Sequence, residues 1–224
     1  MSVKKPAFIV VEGCNGTGKS ETARHLATLL GAHTFHFPPK FNELRASMGL
    51  DTAMPQIPRL HYYLAACLHL SNLVLDVLED GGWVVCDRYV AAPLSLIAAD
   101  GGLDPAVIDA QFGGIRSWLL DVDVTLVLEA RHQVAVERLV RRRKVLGSPA
   151  TPVERRCENK SFYERRERFL RRYARMVGPV VTMDTSDLQQ AEMLDVAAAM
   201  VSERTPWVET KDSRGASLLV QGSG

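Results

Sequence analysis

Eight consecutive residues, Gly13-Cys14-Asn15-Gly16-Thr17-Gly18-Lys19-Ser20, fit the spacing G-x-x-x-x-G-K-[ST]. In that pattern glycines let the backbone turn tightly enough to aim its N–H groups at phosphate oxygens. The opening turn of the following helix adds the positive end of its dipole. Lys19 supplies a point charge for the terminal phosphates of ATP, and Ser20 a hydroxyl for Mg²⁺. The second group suited to chemistry is Asp87-Arg88-Tyr89, directly after the apolar run Trp83-Val84-Val85-Cys86. A carboxylate there can complete the Mg²⁺ shell, and an arginine beside it can clamp an anionic acceptor with its fork of donors. Together the two groups point to phosphoryl transfer.

Such residues must be held by strands. Ala7-Phe8-Ile9-Val10-Val11 is a short apolar run of the kind a buried parallel strand shows, and Ala23, Leu26, Ala27 and Leu30 recur behind the loop at helical spacing. Further strands are expected at Thr34-Phe35-His36-Phe37, Trp83–Cys86, 122–128 and 180–183. Helices are expected at 41–50, 59–80, 93–99, 105–118, 132–143, 160–176 and 187–202. Alternating strands and helices predict an α/β fold of the P-loop NTPase kind, a five-stranded parallel sheet covered on both faces. Ligands in such sheets lie beyond the carboxyl ends of the strands. The loop, Phe37 to Lys40 and Asp87 to Tyr89 all fall at such ends. The domain is expected over residues 1–203, with 204–224 a mostly disordered tail. Trp83 and Trp118 read as core.

A chain of 224 residues supports one sizeable core, and a formal net charge of +1 offers no global argument for nucleic acid or a membrane surface. The charge is uneven: residues 131–175 hold fifteen Lys/Arg against five acids, which suits polyphosphate handling. Four cysteines, Cys14, Cys67, Cys86 and Cys157, show no C-x-x-C spacing. That argues for a reducing, cytoplasmic setting without zinc or disulfides. No apolar stretch reaches membrane-spanning length.

On these residues the chain resembles the thymidylate kinase family of nucleoside monophosphate kinases. Phe8-Ile9-Val10-Val11-Glu12-Gly13 leading into the loop, Phe37-Pro38, and Val84-Val85-Cys86-Asp87-Arg88-Tyr89 carry the likeness. Glu154-Arg155, Glu158-Asn159, Phe162, Glu164 and Phe169 resemble that family's lid and the helix behind it. The resemblance spans about residues 5–200. It implies ATP- and Mg²⁺-dependent transfer to a nucleoside 5′-monophosphate by a homodimer. Lys40 and Arg88 would then contact the acceptor phosphate, Ser20 and Asp87 the metal, and Phe37 and Tyr63 the base.

Three positions depart from the family pattern. Asn15 replaces an aspartate in the loop, Cys67 stands where an arginine reads the thymine edge, and Leu96 replaces an aromatic. They point to a different or broader acceptor. Gly16 stands where some members place an arginine, so charge on the transferring phosphoryl is expected to be met from an Arg-rich lid at about 143–160. Arg143 and Arg155 are the catalytic candidates, with Arg141, Arg142 and Arg156 flanking the same segment. Arg165, Arg166, Arg171, Arg172 and Arg175 read as a solvated helix face. Two other readings stay open: a nucleoside kinase acting on an unphosphorylated or unusual nucleoside, and a non-catalytic nucleotide-binding regulator.

Overall fold

The computed structural model describes residues 6–36, 39–205, 209–211 and 217–219, without the side chains of residues 39, 40, 42, 46 and those beyond 205. In chain order the elements are β1 (Phe8–Gly13), α1 (Lys19–Leu30), β2 (His33–His36), α2 (Pro39–Ser47), α3 (Gln56–Glu79), β3 (Val84–Asp87), α4 (Ala91–Asp100) and α5 (Pro105–Ile115). There follow β4 (Val124–Glu129), α6 (His132–Leu146), α7 (Pro152–Cys157), α8 (Lys160–Arg175), β5 (Val180–Asp184) and α9 (Gln190–Ser202). The sheet runs β2-β3-β1-β4-β5, parallel throughout.

β1 is central because it is apolar on both faces. Phe8 and Val10 face a core shared with α3, α4, α5 and α8, whereas Ile9 and Val11 face one shared with α1 and α9. That is the two-residue period of a strand buried on both sides. Its register sets Val11 beside Asp87 and Gly13 beside Leu128, so the loop after β1 opens next to the end of β3. α8 buries Phe162, Tyr163, Arg166, Leu170, Tyr173 and Ala174 along one stripe.

The expected sheet is present with all five strands. Trp118 corrects the reading of that residue as core: it is 76% exposed. α5 stops at Ile115, and the following 3-10 turn, Arg116–Trp118, swings the indole outward. Trp83 is half-buried against the α1 and α9 face. Within the segment read as a tail, Glu209–Lys211 (β6) and Ser217–Leu219 (β7) pair antiparallel; its other residues beyond Thr205 lie outside the described residues.

Candidate active site

The loop between β1 and α1 is shaped by close backbone contacts. At Gly16, with φ +91°, a Cβ would lie 2.4 Å from the carbonyl oxygen of Ala135 on α6, so neither alanine nor arginine fits there. Gly13 is equally confined, with Leu128 O 2.5 Å from its would-be Cβ. Cys14, buried, turns its carbonyl inward to accept from Thr17 Oγ1 at 3.0 Å and from Lys19 Nζ at 3.1 Å. Burial, then the Arg88 guanidinium, brings the Lys19 ammonium down to about 7. An arriving phosphate reverses that balance by favouring the charged form.

Beyond the loop a cavity of about 480 Å³ is lined by Asn15, Lys19, Ser20, His36, Tyr63 and Arg88, with Leu96 and Arg166 among its further walls. Asp87 ends β3 at its edge. Burial alone would raise its carboxyl, but the His36 hydrogen bond and the Arg88 and Lys19 charges hold it well below the usual carboxylate range. His36 Nδ1 lies 3.0 Å from the Asp87 carbonyl oxygen and 3.4 Å from Oδ2, while Oδ1 is buried without a partner.

Arg88 takes φ 78°, a left-handed conformation unusual for a side chain of this size. Two contacts impose it. Its own N–H reaches Val11 O at 3.1 Å, and Glu12 Oε1 accepts from the amides of Tyr89 and Ala92 at 2.9 and 3.1 Å. So held, Arg88 Nη2 reaches Asn15 Oδ1 at 3.3 Å. Arg166 Nη1 reaches the same oxygen at 3.0 Å and Cys157 Sγ at 3.3 Å. Among the described residues neither guanidinium is paired with a carboxylate. Two guanidiniums, Arg166 buried and Arg88 half-buried, converging on one neutral amide make a site for an anion.

Arg166, which the sequence placed on a solvated helix face, is instead 2% exposed and turned into the site. Its position on the stripe Phe162, Tyr163, Arg166, Leu170 was the available signal. The proposed lid arginines are placed elsewhere. Arg143 pairs with Glu158 at 2.8 Å and Arg155 is exposed; neither lines the cavity. Arg142 does line it, but is paired with the buried Glu154, whose carboxylate also completes a capping box with Thr151.

On the acceptor side, Tyr63 OH donates to Asp51 Oδ1 at 3.1 Å, and Arg45 holds Asp51 Oδ2 through Nε at 2.8 Å. Cys67 lies in the core behind this wall, with its thiol pushed up by burial, and does not line the cavity. Lys40 sits on α2 without a described side chain, and Phe37 lies outside the described residues.

A phosphate-binding loop at a helix N-terminus, beside a strand-end carboxylate and two guanidiniums that meet no carboxylate among the described residues, defines a P-loop phosphotransferase. The comparisons with known proteins make that class specific. Residues 11–192 match the family model described as thymidylate kinase. The thymidylate kinase of Methylococcus capsulatus is 31% identical over 143 residues, covering 58% of this chain and 67% of its own. That of Chromohalobacter salexigens is 28% identical over 215 residues, covering 89% and 97%. In structure the chain is similar to a thymidylate kinase from Candida albicans, described for the origin of its broad substrate specificity. The TM-score is 0.65 at 16% identity, over 88% of this chain and 92% of that one. The chain belongs to the thymidylate kinase family and is a nucleoside monophosphate kinase.

Proposed function

We propose that this enzyme moves the γ-phosphoryl of ATP onto the 5′-phosphate of dTMP or a closely related deoxynucleotide. The observation that carries the reading is that Arg88 and Arg166, neither paired with a carboxylate among the described residues, meet at Asn15 within the cavity that Lys19 also lines. An acceptor without a phosphate would leave the buried Arg166 and the half-buried Arg88 without an anion to match their charge.

Each residue then has a part. The loop amides and Lys19 hold the donor phosphates. Arg88 holds the acceptor phosphate, and Arg166 meets charge developing on the transferring group. Asn15 sets the spacing of the two guanidiniums without cancelling their charge. Glu12 fixes the turn that aims Arg88. Ser20 and Asp87 suit Mg²⁺, since Ser20 lines the cavity and the Asp87 Oδ1 atom has no other partner. Held by these two residues, Mg²⁺ would supply positive charge to offset that of the phosphates. Transfer rests on positioning and charge stabilisation.

The base wall supports an acceptor broader than dTMP. Leu96 and Pro93 line it, and Cys67, at the position expected to read the base edge, is withdrawn into the core. A homodimer through α3 and a cytoplasmic setting belong to the same reading. They are supported by the exposed Leu75 on that helix and by four free cysteines. Among the described residues no helix is long and apolar enough to cross a membrane.

Product analysis with ATP, Mg²⁺ and a panel of nucleosides and their monophosphates tests the reading. Diphosphate formed from dTMP or a related monophosphate supports it. Turnover confined to unphosphorylated nucleosides overturns it in favour of a nucleoside kinase.

A further inference from the structure

Three arginines from three helices converge on the C-terminal end of α4. Arg156 of α7 holds both carboxylate oxygens of Asp100 at 2.7 Å. Arg59, in the first turn of α3, donates to the same carboxylate and to Gln56 Oε1. Arg165 of α8 donates to the Ala99 carbonyl through Nε and Nη2, at 3.3 and 3.1 Å. The Asp100 and Arg59 side chains are 9% and 4% exposed. A carboxylate in the last turn of a helix faces the negative end of the dipole, so α4 by itself disfavours this placement. The cluster is also incompletely satisfied. Nε of Arg59 and both Nε and Nη2 of Arg156 are buried without partners. Buried ionic clusters of this kind are often no more stable than apolar packing of the same volume, so stability alone does not account for it.

Its placement does. The other end of α4 begins at the Arg88 turn, where Glu12 grips Tyr89 and Ala92. Between the two ends, Ala92, Pro93 and Leu96 line the cavity, and Pro152, Val153 and Glu154 of α7 line it from their own side. α4 is therefore a strut between the loop that aims Arg88 and the point where α7 is fastened. We infer that Asp100 is a positioning residue for the transfer reaction, a latch that seats α7 on the cavity through Arg156 and is braced against α3 through Arg59. None of the three lines the cavity, so the effect passes through α7. With α7 seated, water is kept from the donor phosphate and the acceptor is held; released, both are lost. The inference rests on the phosphoryl-transfer reading and adds to it the element that commits the acceptor.

The test uses the full chain. Arg156→Met removes the α7 side of the latch and leaves the Arg59–Asp100 pair, Arg156→Lys restores the charge, and Asp100→Asn removes the shared carboxylate. Two readouts are taken: amide hydrogen exchange of residues 150–158, and ADP released per acceptor phosphorylated, with KM and kcat. The expected result for Arg156→Met is exchange faster by roughly tenfold or more, the scale of one lost charged hydrogen bond. ADP should exceed phosphorylated acceptor, and KM for the acceptor should rise about tenfold on the same grounds, with kcat nearly kept. Arg156→Lys should fall between Arg156→Met and the unaltered protein. If Asp100→Asn fails to fold, the Arg156 pair decides. A lower melting temperature for Arg156→Met with α7 exchange and the product ratio unchanged overturns the inference. Exchange decides the latch even if the unaltered protein phosphorylates no monophosphate, an outcome that overturns only the functional reading.

Discussion

Arg166 on α8 donates to the side-chain oxygen of Asn15 across 3.0 Å, although 151 residues separate them in sequence. The contact carries a full positive charge into the phosphate-binding loop from the far side of the chain. Replacing Arg166 by methionine keeps much of the buried volume and removes the charge. Expected is a fall in kcat of about 10²- to 10³-fold. The melting temperature should hold or rise, because a buried cation with no carboxylate partner among the described residues is exchanged for apolar packing. Steady-state kinetics beside a thermal melt separate the two effects; a kcat within about threefold of the unaltered enzyme would remove Arg166 from the site.

The same geometry predicts little from the neighbouring arginines. Arg143 is tied to Glu158 and Arg155 is exposed. Single alanine variants of either should keep kcat within about twofold, as for surface ion pairs in general. A hundredfold loss in either variant would mean that the segment rearranges onto the phosphates during turnover.

Gly16 and Gly147 form a matched pair. Both have positive φ, but a Cβ at Gly16 strikes Ala135 O whereas nothing lies within 4 Å at Gly147. Gly147→Ala should lower stability by about 1 kcal/mol and leave ATP binding alone. Gly16→Ala should weaken ATP binding by about tenfold or more, since strain of roughly 1–3 kcal/mol falls on the loop itself. Equal ATP affinities in calorimetric titrations of the two variants would contradict the packing argument.

Glu167 gives a pH dependence. Burial first, and then the neighbouring Glu129, Asp184 and Glu164, raise its carboxyl from 4.5 to about 7. The unfolded chain therefore releases this proton before the folded one does. The contribution is fully present below about pH 4.5 and is lost as pH rises through about 7. Glu167→Gln should accordingly gain melting temperature relative to the unaltered protein at pH 7.5 and not at pH 4.5. A difference independent of pH would show that the carboxyl is not raised.

What the sequence made legible was whatever is local. The loop spacing, the apolar run of β1 and the Asp87-Arg88-Tyr89 strand end each lie within a few residues, and they gave the fold class and half of the site. The Arg166 side chain was missed because its place in the site depends on a contact with Asn15 far away in sequence. Its charge argued for solvent, while its place on the stripe with Tyr163 and Leu170 argued for burial. His36 was missed for a related reason. It meets Asp87 only through the pairing of β2 with β3, which puts those two residues in register. The Asp100 cluster likewise joins α3, α4 and α7, and no spacing within one segment announces it.

The most direct test follows the phosphoryl group itself. With ATP labelled at the γ-position, Mg²⁺ and dTMP or a related deoxynucleoside monophosphate, label should pass to the acceptor diphosphate. ADP should form in equal amount, with none of this in Lys19→Ala. Label recovered only as inorganic phosphate, or equal transfer by Lys19→Ala, would contradict phosphoryl transfer at this site.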